Sequence, residues 1–338
     1  MSPLTEILRD EIRRAGPISF RRFMDAALYH PVHGYYRRAH DPFGKQGDFY
    51  TAEQLQPVFG ILMAARIRPL YQAMGAPPDF TVVELGAGRL EMAAAFSEWH
   101  YIPVDVAADA MPTIPVMSEL PERFRGVVFA NEFFDALPVE AVTFRDGGFR
   151  ELRVASDERF VWVDGPPARE EVADYVRRYF PPPTEGALFE VNLDALAWLE
   201  RIARALEAGF VLTIDYGYTR SESVRFPRGT LMSYRRHQAD EDVLEDPGAK
   251  DITAHVPFTA LQEHGARVGL ETVRFENLAQ TLLASGEPDE FAAALAASTS
   301  EEELRRRLQL KSLLFGMGET FRTLLQKAGG AHAGLLAK

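Results

Sequence analysis

The stretch Thr81-Val82-Val83-Glu84-Leu85-Gly86-Ala87-Gly88 constrains the fold more than any other part of this chain. A β-branched run ends in an acid and then turns through two glycines. β-branched residues favour extended backbone, and glycine reaches conformations that a Cβ forbids. The stretch therefore predicts a first strand of a parallel sheet that hands over to a ligand loop. The acid stands before the glycines. Dinucleotide loops instead place three glycines after the strand, as G-x-G-x-x-G, with their acid about 20 residues downstream. An ordinary strand followed by a glycine turn would also carry the E-x-G-x-G pattern, so the rest of the chain has to decide.

From residue 80 the pattern alternates between strands and helices. Continuous apolar runs at 81–85, 101–106, 126–130 and 210–216 read as strands buried on both faces of a mostly parallel sheet. Residues 89–98 and 194–208 read as covering helices. Runs at 141–144, 150–154 and 160–163 alternate around Asp146-Gly147-Gly148 and Asp157-Glu158, which predicts a hairpin or small meander set into the α/β body. A helix over 168–180 ends at Pro181-Pro182-Pro183, and the stretch 288–327 reads as helical. Ahead of the sheet, residues 4–15 form one helix stopped by Gly16-Pro17. Residues 18–28 form a second, with Ser19 as its cap, and 55–74 form a long third. The division expected is a helical cover with a lid loop over 1–78 and an α/β domain over 79–338, with an insertion at about 140–190.

Composition narrows the chemistry. The 338 residues include no cysteine, which removes disulfides, thiol catalysis and thiolate metal sites. The formal net charge of −12 repels nucleic acid and suits a cationic partner such as an arginine-rich peptide. No apolar run has the length of a membrane span, and the N-terminus shows no secretory signal. A cytoplasmic, bacterial protein is the expectation, with no nucleic-acid or membrane partner. His30, His33, His237 and His255 sit in turn or loop motifs without metal-ligand spacing, so no metal site is expected.

In an open α/β sheet, ligands lie outside the carboxyl ends of the strands. Those ends carry Glu84, Asp105, Asn131-Glu132 and Asp215. The E-x-G-x-G loop resembles the opening loop of S-adenosylmethionine (SAM) methyltransferases, where glycines let the backbone approach the amino-acid part of the cofactor. Asp105 is placed to accept the ribose hydroxyls of an adenosine cofactor, or else to cap a helix. Asn131-Glu132-Phe133-Phe134-Asp135-Ala136-Leu137-Pro138 follows a strand directly and sets two acids and an amide among aromatics. It reads either as a capped helix start or as a methyl-acceptor pocket. In such a pocket carboxylates hold a guanidinium and aromatics exclude water.

Further motifs carry a wider resemblance. They are Gly16-Pro17-Ile18-Ser19, Ala27-Leu28-Tyr29-His30-Pro31 with Gly34-Tyr35-Tyr36, and Gly47-Asp48-Phe49 with Thr51-Ala52. Glu84-Leu85-Gly86-Ala87-Gly88-Arg89, the 131–138 segment and Ile214-Asp215-Tyr216-Gly217 follow. Gly229-Thr230-Leu231 and Asp251-Ile252-Thr253-Ala254-His255-Val256 complete the series. In this order they resemble the MidA-like family of SAM-dependent methyltransferases, related to the mitochondrial complex I assembly arginine methyltransferase. The resemblance implies a Rossmann-like class I methyltransferase sheet with an N-terminal helical cover and an inserted β/α subdomain. It implies SAM as cofactor and a protein substrate, with a respiratory complex subunit as the example set by the eukaryotic relatives. Carried over by position, Glu84, Gly86 and Gly88 line the methionine end and Asp105 holds the ribose. Gly47, Asp48, Phe49 and Thr51 close over the cofactor. Asn131 and Glu132, with Asp135, are the catalytic candidates, inferred from strand-end position.

The chain also departs from the family pattern. Where relatives read Gly-x-Gly-Arg-Gly-Thr-Leu, this chain has Leu90 in place of the third glycine. Where they read Pro-Glu-Ile-Ser-Gln after Thr51-Ala52, it has Glu53-Gln54-Leu55-Gln56-Pro57, with Glu53 or Gln56 as the candidate replacement for the missing acid. His-Val-Asp-Phe has become His255-Val256-Pro257-Phe258. A non-catalytic assembly factor with a degenerate site is therefore the alternative to an active enzyme. For a nicotinamide oxidoreductase this chain lacks both the third glycine and a paired acid and base.

Overall fold

The computed structural model describes residues 2–37, 52–106, 115–235 and 238–329. Its strands, in chain order, are β1 (Ile18–Ser19), β2 (Phe80–Leu85), β3 (His100–Val104), β4 (Phe124–Asn131) and β5 (Glu140–Arg145). Then come β6 (Gly148–Ser156), β7 (Phe160–Pro167), β8 (Leu188–Val191), β9 (Leu206–Tyr218) and β10 (Met232–Arg235). The last are β11 (Gln238–Asp240), β12 (Asp251–Thr253), β13 (Val256–Pro257), β14 (Leu270–Asn277) and β15 (Phe321–Ala328). The helices used below are α1 (Pro3–Ala15), α2 (Phe20–Tyr29), α3 (Val58–Ala73), α4 (Glu170–Tyr179) and α5 (Leu193–Ala205). The chain forms two compact units, one from Met1–Tyr50, Asp135–Ala197 and Tyr218–Ala260, the other from Thr51–Phe134, Trp198–Gly217 and Leu261–Lys338.

The second unit holds the large sheet, in the order β14-β15-β9-β4-β2-β3. β3, β2, β4 and β9 run parallel, while β15 is antiparallel to both β9 and β14. Every residue of β2 is buried, as its unbroken apolar run requires. Its core joins Val82, Phe96, Val127, Phe129 and Leu212 to Phe59, Met63 and Ile67 of α3. Thus α3, grouped by sequence with the N-terminal cover, packs in the core of the sheet unit.

Two elements differ from the sequence reading. Residues 321–328, expected as the end of a helical stretch, form β15, with Phe321 opposite Tyr216 and Leu325 opposite Leu212. Phe321, Thr323, Leu324, Leu325 and Gln326 are all buried. A strand covered on both faces has no alternating pattern, so periodicity cannot separate it from a buried helix. Residues 91–98, expected as a helix, are successive turns. Leu90 just before them has φ of 61°, the left-handed region that a right-handed helix cannot pass through.

In the first unit, α1 is capped by Ser2, whose Oγ accepts from Thr5 N at 3.3 Å, and it stops at Gly16 with φ of 80°. Ser19 Oγ accepts from Arg22 N at 3.2 Å and starts α2. The expected meander is present as β5, β6 and β7, with β1 and β8 completing the sheet. Ile18 pairs with Val154, and Phe20, Phe23 and Leu28 share a core with Val154, Phe160 and Ile252. N-terminal helices and insertion are therefore one structural body. A second cluster packs Val172, Tyr175 and Val176 of α4 on Phe189 and Val191 of β8. A small sheet of β11, β10 and β12 completes this unit. Among the described residues no helix is long and apolar enough to cross a membrane.

Candidate active site

The carboxyl end of β2 runs into the glycine loop. Gly86 N donates to Val104 O at 2.9 Å, which holds the loop against the end of β3. Gly86 has φ of +70°, and a Cβ there would stand 3.2 Å from Phe133 Cδ2. Only glycine fits this conformation without strain. Gly88 N donates to Asp105 Oδ2 at 3.0 Å. Asp105 thus closes β3 beside the loop, as its position predicted, and one of its oxygens holds the loop backbone. Leu90, in the place of the family's third glycine, keeps the left-handed backbone that glycine serves and donates its N–H to Ala87 O at 2.8 Å.

Glu84 is wholly buried. Its Oε2 accepts the Tyr101 hydroxyl, and its Oε1 has no donor among the described residues. Burial pushes its carboxyl up to about 8, opposed by the hydrogen bonds with Tyr101 and Glu53 and raised further by Asp105 and Glu91. The Tyr101 hydroxyl is itself pushed up, first by burial and then by Glu84. Sequence reasoning missed Tyr101. The β2–β3 register sets Pro103 opposite Glu84 and Tyr101 opposite Val82, so Tyr101 lies on the same face two residues along, and no local signal reveals such a neighbour. Glu53 is a second buried acid here. Burial, then Glu84, Glu132 and Glu91, raise its carboxyl well above the ordinary range. Gln56, the other replacement considered, turns elsewhere, its Nε2 donating to Met92 Sδ at 3.2 Å.

At the end of β4, Asn131 Nδ2 and Ala52 N both donate to Glu132 Oε1 at 3.2 Å. Glu132 has φ of 49°. A left-handed acid directly after a strand is costly backbone, of the kind stored at functional sites. Asn131 Oδ1 is buried without a donor among the described residues. Asp215, the acid ending β9, is turned inward, with Oδ2 accepting from Phe134 N at 3.1 Å and Oδ1 from Tyr216 N at 2.9 Å. It fixes the turn that presents Glu132. The structure thus brings Glu84, Gly86, Gly88, Asp105, Asn131 and Glu132 to the carboxyl edge of one sheet. Asp135 belongs to the other unit, where it is buried and its backbone carbonyl accepts from Ala254 N at 3.1 Å. Gly47, Asp48, Phe49, Thr51 and His237 lie outside the described residues.

A family model of S-adenosyl-L-methionine-dependent methyltransferases matches residues 107–276, about half of the chain. A COG1565 superfamily member from Burkholderia thailandensis, bound to S-adenosyl-homocysteine, superposes with a TM-score of 0.86 and is 32% identical, covering 99% of this chain and 94% of that one. The chain belongs to the S-adenosyl-L-methionine-dependent methyltransferase family. The native crystal structure of a COG1565 protein from the same organism gives a TM-score of 0.83 at 31% identity, covering 97% and 92%. Among curated relatives, the mitochondrial protein arginine methyltransferase NDUFAF7 homolog of Drosophila melanogaster is 28% identical over 75% of this chain and 68% of its own length. The Homo sapiens protein of that name is 27% identical over 77% and 69%.

Membership makes SAM the cofactor and the fold that of a class I methyltransferase. The residues present fit that cofactor. Gly86 leaves space that a Cβ would narrow, and a buried acceptor on Glu84 awaits a donor, which an amino-acid ammonium supplies.

Proposed function

We propose that this SAM-dependent methyltransferase transfers its methyl group to arginine in a protein substrate. The half-buried Glu132, held in a left-handed backbone at the carboxyl end of β4, carries this reading. A carboxylate fixed at that edge binds a guanidinium through charge-assisted hydrogen bonds and orients its nitrogen. The arginine methyltransferases among the relatives support the choice of acceptor, at 25–28% identity. The net charge of −12 favours approach of a basic segment.

SAM supplies an electrophilic methyl on a sulfonium. The chain's part is to bind and to orient. Glu84, Gly86 and Gly88 take the methionine end, Asp105 the ribose, and Asn131 and Glu132 the acceptor. Asp135, with Gly47, Asp48, Phe49 and Thr51, completes the proposed set. Asn131 Nδ2 and Ala52 N, both on Glu132 Oε1, hold that carboxylate in place.

The test is incubation with methyl-labelled SAM and candidate proteins, respiratory complex subunits first, followed by amino-acid analysis. Methylarginine that disappears with Glu132→Gln is expected. Label on lysine or on a small molecule, or no label although S-adenosylhomocysteine binds, would refute the arginine reading.

A further inference from the structure

One helix of the sheet unit is seated on one face and bare on the other. The helix Ser300–Ser312 is capped by Thr299, whose Oγ1 accepts from Glu302 N at 3.1 Å, and it runs on into a wider π turn over Leu313–Met317. Its inner face is fixed. Leu313 is wholly buried, Leu310 packs against the core, and Gln309 Nε2 donates to Gln56 O at 2.6 Å. Arg306 and Glu302 pair at 2.6 Å on that side. The outer face carries Leu304, Leu308 and Phe315, which are 60%, 55% and 70% exposed. With Lys311 they stand at i, i+4, i+7 and i+11, one stripe of a helix, and Glu301 precedes the stripe at i−3. Among the described residues neither Glu301 nor Lys311 has an ion-pair partner, whereas Arg307 is taken by Glu303 at 2.8 Å.

We infer that this stripe is an interface with a second copy of the chain, the two helices lying antiparallel about a two-fold axis level with Arg306. The stripe has the same spacing from either end. Leu304 lies three positions after Glu301, Leu308 four after Leu304, and Lys311 three after Leu308. An antiparallel pairing therefore sets Leu304 against the partner's Leu308 and Glu301 against the partner's Lys311, each contact made twice, as a self-complementary interface requires. A parallel pairing would put like charges together. Phe315 reaches just past the start of the partner's helix, where Ala296 and Ala297 are exposed. Burial of the leucines and the phenylalanine supplies the attraction, and the charged ends fix direction and register. The helix carries three acids and four bases, so it lies outside the repulsion that the net charge of −12 sets up elsewhere. At physiological salt that repulsion is screened beyond about 8 Å. A single helix face is small against the ~800 Å² per partner of a standard interface, so the dimer is weak, with a Kd of about 10–100 μM. No residue of the cofactor site takes part.

Analytical ultracentrifugation of the full chain over about 1–500 μM at physiological salt should show monomer passing to dimer. Leu308→Asp should raise Kd about a hundredfold and leave only monomer, with thermal unfolding nearly unchanged because the side chain is exposed. Glu301→Lys and Lys311→Glu should each weaken the dimer about fivefold, and the two together should restore it, because the ion pair has only exchanged its ends. A face that met any other partner would gain nothing from the double exchange. Monomer at every concentration, whatever other protein or lipid surface the face then binds, overturns the inference. So does a dimer that Leu308→Asp leaves intact, or a double exchange no tighter than either single change.

Discussion

Replacing Glu84 by glutamine should remove a large pH-dependent loss of stability. In the folded protein burial lifts this carboxyl from its ordinary 4.5 to about 8. In the unfolded chain it ionises near the ordinary value. Between the two, the folded state holds a proton that the unfolded chain has released, so rising pH favours unfolding. The stability is complete below about pH 4.5 and is lost as pH climbs toward 8. Each pH unit in that window costs about 1.4 kcal/mol, which makes about 3 kcal/mol by pH 7. Glutamine keeps the shape and an acceptor for Tyr101 but does not titrate. The assay is urea unfolding of both proteins at a series of pH values, followed by fluorescence from Trp99 and Trp198, which lie in the sheet unit. The variant should gain on wild type by about 2.5 kcal/mol between about pH 5 and pH 7. Groups that do not touch Glu84 cancel in the comparison, whereas Glu53 is coupled to it and contributes to the change. A difference flat within about 0.5 kcal/mol would mean that Glu84 ionises like a solvated carboxylate, and the burial argument would fall.

Three further outcomes follow from single positions. Leu90→Gly relieves a φ of 61° that costs about 1–2 kcal/mol, partly offset by the freer unfolded chain; thermal unfolding should rise by about 2 °C, and a fall would mean that leucine packing outweighs the strain. Gly86→Ala places a Cβ 3.2 Å from Phe133 Cδ2 at a φ of +70°; it should cost about 1–2 kcal/mol and weaken S-adenosylhomocysteine binding about tenfold or more by calorimetry, and unchanged affinity would remove the loop from the cofactor site. His255 is held down at about 4 by burial, so its ring stays neutral at pH 7 and opposes unfolding less as pH falls from about 6.5 toward 4; an NMR titration midpoint near 6.5 would contradict that burial.

The apolar run before Gly86 announced β2, the similar runs after it announced its parallel neighbours, and the strand-end acids with the ordered motifs announced the cofactor class. Strand formation and glycine turns are written in neighbouring residues, and so are the alternating segments that became β5, β6 and β7. The caps Ser19 and Gly16 were legible for the same reason. Strand β15 was not, because a strand covered on both faces has no period of its own and gains its identity from the partners it pairs with. Asp215 looked like a ligand acid from its place at a strand end, yet one of its oxygens holds the turn after β4 through Phe134 N and the other accepts from Tyr216 N of its own strand. Glu53 stood in the sequence only as an irregular replacement in a departing segment. Its pairing with Glu84, and the Tyr101 hydroxyl on the same carboxylate, arise from residues about 30 and 17 positions apart. Local chemistry chose the loop and its cofactor; enclosure by distant parts of the chain decided the protonation of the acid beside it, since the cost of charge depends on what surrounds it.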